Sequence, residues 1–197
     1  MGCQPEGMLD PLPQGPLLNV FALVIYIPDP LGGFLDELRR KLVPGCNPHA
    51  HVSVLPPRPL PVPEDWPRAV EEARILAENW NPFRVEATSI QVFPATEVIY
   101  LEVGEGSDQF RRMHKAMNSR DLAFHEPFEY HPHITLAQEF ERGQVRELRK
   151  RATELWSGYR GDRSFIADHA MFVRNLHGQR WIDLAEVGLG TVPVEQP

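Results

Sequence analysis

Apolar residues along the chain occur either as short continuous runs, typical of buried strands, or at spaced positions, typical of helices. Residues 19–28 form a strongly apolar run that ends at a Pro-Asp-Pro sequence, which predicts a first strand. Helical spacing over residues 31–43, ended by a Pro-Gly pair, predicts a helix. A strand over residues 49–55, a helix over residues 64–80 and a strand over residues 83–93 follow. The first half therefore reads strand-helix-strand-helix-strand.

The second half of the chain repeats this order of elements. We predict strands over residues 97–103, 131–137 and 164–174, with helices over residues 107–122 and 142–156 between them. A turn at residues 177–178 then leads into an additional strand that ends at residue 187. Internal duplication of this kind is a strong guide to architecture. It predicts an α+β protein of two similar βαβαβ lobes, related by approximate two-fold symmetry around a central groove.

The two ends of the chain differ from the rest. Residues 1–18 are rich in Pro, Gly and Gln, so we predict a flexible N-terminal tail, and we expect residues 191–197 to form a short C-terminal tail. Residues 19–190 are then expected to form a single bilobal domain. The chain has 197 residues, enough to bury a sizeable core.

The net charge limits the partners that the sequence favours. A formal charge of −7 gives no long-range attraction to nucleic acid, so we expect small substrates or RNA ends rather than DNA or long duplexes. The longest apolar run, residues 20–27, is too short to span a bilayer. With only two cysteines, one of them in the predicted tail, we expect no structural disulfide and a cytoplasmic location. We expect a monomer.

One short motif occurs in both halves, each time on the second predicted strand. Residues 49–54 read His-Ala-His-Val-Ser-Val and residues 131–136 read His-Pro-His-Ile-Thr-Leu. Strand residues two apart point to the same side, roughly 6.5–7 Å from each other. His51 therefore lies beside Ser53, and His133 beside Thr135. Facing each other across a groove, the two motifs would supply an acid, a base and two hydroxyl donors, which suits phosphoryl transfer without a metal.

The paired motifs resemble those of the 2H phosphoesterase superfamily, and the sequence from Pro132 to Leu136 is similar to its bacterial 2′-5′ RNA ligase-like or cyclic phosphodiesterase branch (LigT-like). The resemblance covers about residues 19–187. It implies that His51 and His133 are the catalytic pair, with Ser53 and Thr135 binding the phosphate. It also implies opening of 2′,3′-cyclic phosphates or related RNA-end or nucleotide phosphodiesters without a cofactor, and it leaves a 2′-5′ RNA ligase activity open. By the resemblance, His51 would be the acid and His133 the base; the residues themselves leave this assignment open.

Other residues are weaker candidates for the site. Arg58, in a predicted Pro-rich loop over residues 56–63, could bind phosphate, and Tyr130 could stack on a base, although core packing is an equal alternative. His49 and His131 are expected either at the groove mouth or as polar strand ends. A basic cluster is expected on a solvated helix face: Arg111, Arg112 and Lys115.

Two other functions stay open at this stage. The paired His-x-His sequences could hold a metal ion such as zinc, iron or manganese, although neither motif contains a carboxylate. The chain could also be a nucleotide- or RNA-binding module without catalysis. Activity after chelation tests the first alternative, and tight nucleotide binding without turnover would support the second.

Overall fold

The computed structural model describes residues 17–46, 49–141, 143–176 and 180–190. Its strands are β1 (Leu17–Tyr26), β2 (His51–Arg58), β3 (Phe83–Val92), β4 (Ile99–Val103), β5 (His133–Ala137), β6 (Ser164–Ala167), β7 (His169–Leu176) and β8 (Arg180–Gly188). Its helices are α1 (Leu31–Leu42), α2 (Trp66–Ala77), α3 (Ser107–Met117) and α4 (Val145–Gly158). Residues 1–16, residues 191–197 and the turn predicted at residues 177–178 lie outside the described residues.

The strands form one curled antiparallel sheet in the order β6-β3-β4-β5-β2-β1-β7-β8. The motif strands β2 and β5 are neighbours at its centre, and three further strands lie on each side of them. Each half of the sheet thus has one motif strand as its innermost strand. On its outer side this strand pairs with the first strand of its own repeat, β1 beside β2 and β4 beside β5. This arrangement confirms the predicted α+β fold, with its duplicated halves around a central line.

The two halves exchange strands, which the sequence pattern did not indicate. The third strand of the first repeat, β3, pairs with β4 from the second repeat, where Ile90 lies opposite Leu101. In the same way β7, from the end of the second repeat, pairs with β1, where Ala22 lies opposite Val173. Each half of the sheet is therefore built from both repeats.

Several element boundaries differ from the prediction. The strand β1 begins at Leu17, inside the predicted tail, and β2 continues through two prolines to Arg58 where a loop was predicted. The predicted strand over residues 164–174 is divided at Asp168 into β6 and β7. The helix predicted to reach residue 122 ends at Met117, and a short 3-10 turn follows at Arg120–Leu122.

Strand alternation separates a helix-covered face of the sheet from an open one. Val52 and Ile134 are fully buried, in a core shared by residues of all four helices. In α1 the leucines at helical spacing are the ones buried there: Leu31, Leu35, Leu38 and Leu42. The side chains between the buried positions of β2 and β5 point away from this core, to the open face. The motif histidines and hydroxyls all lie at such positions.

Candidate active site

The register of β2 and β5 brings the two motifs together. The strands are antiparallel and Val52 lies opposite Ile134. One residue to either side, His51 then faces Thr135 and Ser53 faces His133. The four side chains share the open face, with the histidines on one diagonal and the hydroxyls on the other. Diagonal neighbours in an antiparallel pair have Cβ atoms roughly 7–8 Å apart, a separation that leaves room for a phosphate group between the two imidazoles.

Both histidines are fixed in the same way. The Nδ1 atom of His51 lies 2.9 Å from the carbonyl oxygen of His49, and that of His133 lies 2.7 Å from the carbonyl oxygen of His131. Because a carbonyl oxygen can only accept, each Nδ1 carries the proton and donates it. Each Nε2 is then free to accept a proton, or to carry one, at the open face.

Burial makes both imidazoles weak bases in the free protein. The pKa of His51 is lowered from 6.5 to about 4, mainly by loss of solvent and also by the positive charges of Arg39 and His133. The bond to the His49 carbonyl and the charge of Asp36 act in the opposite direction. Loss of solvent also lowers the pKa of His133. Both rings are therefore neutral at pH 7 in the free protein.

Aromatic side chains surround the second motif histidine. The rings of Phe93 and Tyr100 stack on each other with centroids 4.0 Å apart. Their edges approach the His133 ring at 4.9 and 5.3 Å. In the first motif Tyr26 has a similar edge contact with His51 at 6.3 Å. The sequence offered no signal for the contacts with the two histidines, because each joins a histidine to a ring 25 or more positions earlier in the chain.

His131 is held at both ring nitrogens. Arg111 donates to its Nδ1 atom at 3.3 Å and to the carbonyl oxygen of Tyr130 at 2.9 Å. Since Nδ1 accepts, the proton is on Nε2, which donates to Glu102 at 3.0 Å. The prediction that Arg111 lies on a solvated helix face is wrong, because its guanidinium reaches across to the second motif.

His49 is less constrained. It is exposed, has a positive φ of 74°, and its ring lies 5.4 Å from the Tyr26 ring. A cavity of about 320 Å³ opens beside it at the start of α1. The cavity is lined by Tyr26, Ile27, Asp29, Gly32, Gly33, Asp36, His49 and Ala50.

Arg58 does not reach the open face. It lies in β2 rather than in a loop, is only 2% exposed, and forms an ion pair with Glu126. Its remaining donors bond to the Asn118 side chain and to the carbonyl oxygens of Pro56 and Leu122. Its predicted role in binding phosphate is therefore corrected: Arg58 ties the segment after α3 to β2.

Tyr130 links the two motifs. Its hydroxyl donates to the carbonyl oxygen of Ser53 at 2.7 Å, and its ring stacks on His114 with centroids 3.9 Å apart. One face of the ring is thus already covered by a protein side chain. The core-packing alternative for Tyr130 describes this position better than stacking on a base.

Two kinds of site are absent from the described ranges: a metal-binding cluster and a membrane-spanning helix. Within residues 17–46, 49–141, 143–176 and 180–190, no group of three or more His, Cys, Asp or Glu residues is arranged to hold a metal ion. None of the helices in those ranges has the length and apolar character needed to cross a membrane.

A family model and a curated protein match parts of this chain. The family model of the 2′-5′ RNA ligase superfamily matches residues 27–179. A curated protein of Oceanobacillus iheyensis, "Putative phosphoesterase OB1230", is 29% identical over 80 residues, 40% of this chain and 46% of that protein. The chain thus matches about half the length of this curated relative.

Solved structures show the same fold. E. coli LigT complexed with 3′-AMP has a TM-score of 0.61 and 14% identity, over 88% of this chain and 99% of LigT. The protein TT0787 of Thermus thermophilus has a TM-score of 0.60 and 19% identity, over 86% of this chain and 97% of that one.

Proposed function

The chain belongs to the 2′-5′ RNA ligase superfamily of 2H phosphoesterases, and we propose from this that it is a metal-independent phosphodiesterase of 2′,3′-cyclic phosphates or related RNA-end phosphodiesters. Membership of the family indicates a phosphoesterase enzyme. The observation that carries the finer proposal is the pair of imidazoles on one open face, each bonded through Nδ1 to a backbone carbonyl. An acid and a base on either side of one phosphorus are what an in-line displacement requires.

In the proposed reaction one histidine is neutral and the other is protonated. The neutral Nε2 takes a proton from a water molecule as its oxygen forms a bond to phosphorus. The protonated Nε2 gives its proton to the leaving 2′ or 3′ oxygen as the bond from phosphorus to that oxygen breaks. One water is consumed, the ring opens to a phosphomonoester, and the proton has moved from one imidazole to the other.

The hydroxyls of Ser53 and Thr135 complete the proposed site. They lie on the diagonal opposite to the histidines, where they can donate to the two non-bridging oxygens. Charge concentrates on these oxygens in the transition state, so fixed donors there stabilise it more than the ground state.

Binding of the substrate allows one histidine to take up a proton from the solvent. Both histidines are neutral in the free protein at pH 7, because burial lowers their pKa values. A phosphodiester anion between the rings favours the charged form of an imidazole and raises its pKa. The anion therefore prepares one of the two rings to act as the acid.

The direct test uses the four 2′,3′-cyclic nucleotides in the presence of EDTA, with separation of the 2′- and 3′-phosphate products. We expect turnover that EDTA does not affect and a single phosphomonoester from each substrate. Loss of activity in EDTA, restored by a divalent metal, would contradict the proposal in favour of a metal enzyme. Tight nucleotide binding without turnover would contradict it in favour of a binding module.

A pair of RNAs tests for ligase activity. Attack by the 5′-hydroxyl of a second RNA in place of water would join the two RNAs through the same acid and base. We expect a low yield of 2′-5′-linked product from an RNA with a cyclic phosphate end and one with a 5′-hydroxyl. The product should resist a nuclease that cleaves only 3′-5′ links. Cleavage at the new bond would show that it is a 3′-5′ link and would contradict the expectation.

A further inference from the structure

A carboxylate in α1 is connected to His51 through a single peptide group. The backbone N–H of Ala50 donates to Asp36 Oδ1 at 2.6 Å. The carbonyl of that same peptide group belongs to His49, and it accepts the Nδ1 proton of His51 at 2.9 Å. The atoms therefore form a chain from the carboxylate, through one amide, to the imidazole.

Such a chain changes the acceptor that His51 meets. A carboxylate that accepts from an amide N–H polarises the amide, so its carbonyl oxygen becomes more negative and accepts more strongly. A stronger acceptor at Nδ1 fixes the ring orientation and favours the imidazolium over the neutral ring. The Asp36 side chain is only 14% exposed, so water screens this interaction little.

We propose that Asp36 is a positioning residue for His51: it holds the imidazole with Nε2 at the open face and favours its cationic form there. This inference rests on the proposed function. Any proton that His51 exchanges with the substrate is on Nε2, whereas the proton on Nδ1 stays in its bond to the His49 carbonyl.

The second motif is built differently at the equivalent point. The peptide group whose carbonyl accepts from His133 has Pro132 as its nitrogen partner, and proline has no N–H to give to a carboxylate. The helix that follows β4 instead supplies a cation, Arg111, which donates to the carbonyl of Tyr130 and to the ring of His131. Glu102 raises the pKa of His133 in this motif, but it bonds to the His131 ring and not to the peptide group that holds His133. Of the two motif histidines, His51 is therefore the one with the carboxylate-peptide connection in the described part of the chain.

Three other side chains also contact His51 or shift its pKa. Arg39, one turn along α1 from Asp36, lies 3.9 Å from the Asp36 carboxylate and opposes a charge on His51, as His133 does. Tyr26 contributes a ring edge and donates its hydroxyl to Asp183. Asp36 is the one negative charge among the groups that shift the pKa of His51 in the described part of the chain. Removing its charge also leaves Arg39 uncompensated, which acts in the same direction.

The test removes the negative charge of Asp36 and keeps its hydrogen bond to the Ala50 N–H. In Asp36→Asn the amide oxygen still accepts from Ala50, so the fold is kept while the negative charge is lost. The full chain, labelled with ¹⁵N at histidine, is titrated by NMR, and kcat and KM are measured on a cyclic nucleotide. We expect His51 to titrate at a lower pH, its Nδ1–H resonance to move upfield at pH 7, and His133 to be unchanged. We expect kcat to fall about tenfold with little change in KM, because His51 is less firmly oriented and less often protonated but is still present.

Glu37→Gln is the matched control. Glu37 is the next residue of α1, is exposed, and pairs only with Arg40 and Lys41 among the described residues. We expect it to change neither histidine. The proposal would be overturned if Asp36→Asn left His51 unchanged, shifted His51 and His133 equally, or did no more than Glu37→Gln. The NMR measurement needs no substrate, so it decides the role of Asp36 even if the wild-type protein hydrolyses no cyclic nucleotide and the proposed function fails.

Discussion

His51 and His133 each use one ring nitrogen to hold the ring and leave the other free at the open face. The Nδ1 bonds to the carbonyls of His49 and His131 fix both rings without any second side chain in direct contact with Nδ1. The acceptor in each motif is the backbone of the residue two positions earlier, so the side chain of that residue is not needed for the bond. The side chains at these two positions then differ, with His131 clamped and His49 exposed.

The lowered pKa values lead to a prediction on pH. The pair is active when it carries one proton, and in the free protein that state is most populated between the two pKa values. With His51 at about 4 and His133 lowered from 6.5, kcat/KM should be highest below pH 6.5 and fall as the pH rises above it. The maximum of kcat should lie at higher pH, because the bound phosphate anion raises the pKa of the acid.

Rates on a 2′,3′-cyclic nucleotide between pH 4 and 9 provide the measurement, with protein stability checked at each pH. Coincident maxima of kcat and kcat/KM above pH 7 would show that burial does not lower the pKa values of these histidines.

At the residue scale, the spacing of two within each motif was enough to predict which side chains share a face. The residues that support them could not be predicted in the same way. Asp36 and Arg111 are each followed by an exposed charged residue, and only the packing of α1 and α3 against the sheet brings them to the motif peptides.

Among the elements, β2 carries both the first motif and a buried ion pair. Arg58 lies at the end of this strand and pairs with Glu126, whose side chain is 13% exposed. The prolines at positions 56 and 57 are typical of a loop, but the strand continues because Arg58 still pairs with Phe21 of β1 beyond a register shift. Local sequence signals could not show this, since the pairing partner lies 37 positions earlier in the chain.

Removing Arg58 should destabilise the protein. In Arg58→Met the Glu126 carboxylate would remain largely buried without its partner, which typically costs about 3–5 kcal/mol. The matched control is Arg68→Met, because Arg68 also pairs with a carboxylate, Asp121, but is 74% exposed. A surface pair of that kind contributes about 0–1 kcal/mol.

Urea unfolding of the two variants beside the wild type gives the comparison. Equal unfolding free energies for Arg58→Met and Arg68→Met would mean that the pair does not hold the segment after α3 to β2.

For the whole molecule, the strand exchange makes the two repeats depend on each other. The duplication was visible in the order of predicted elements, and it gave the fold class. The pairing of β3 with β4 and of β1 with β7 was not visible, because the β1–β7 pairing depends on contacts between residues up to 159 positions apart. Such contacts form only when both repeats are present.

This leads to a prediction for separated halves. A fragment of residues 1–95 lacks β7, which pairs with β1, and it lacks both strands that pair with β3. We therefore expect this fragment not to unfold cooperatively when heated. We expect the same of a fragment of residues 96–197. Mixed together, the two fragments should regain a cooperative transition by circular dichroism. A cooperative transition in either fragment alone would show that a repeat is an independent folding unit.

The central claim is that His51 and His133 act as a pair on one phosphorus. The most direct measurement is the rate of 2′,3′-cyclic nucleotide hydrolysis by His51→Ala, His133→Ala and the double variant, with the exposed His125→Ala as control. Each single variant should lose roughly 10²–10⁴-fold. The double variant should lose far less than the product of the two, because either loss alone already breaks the pair. His125→Ala should keep full activity. Wild-type activity in either single variant would contradict the account.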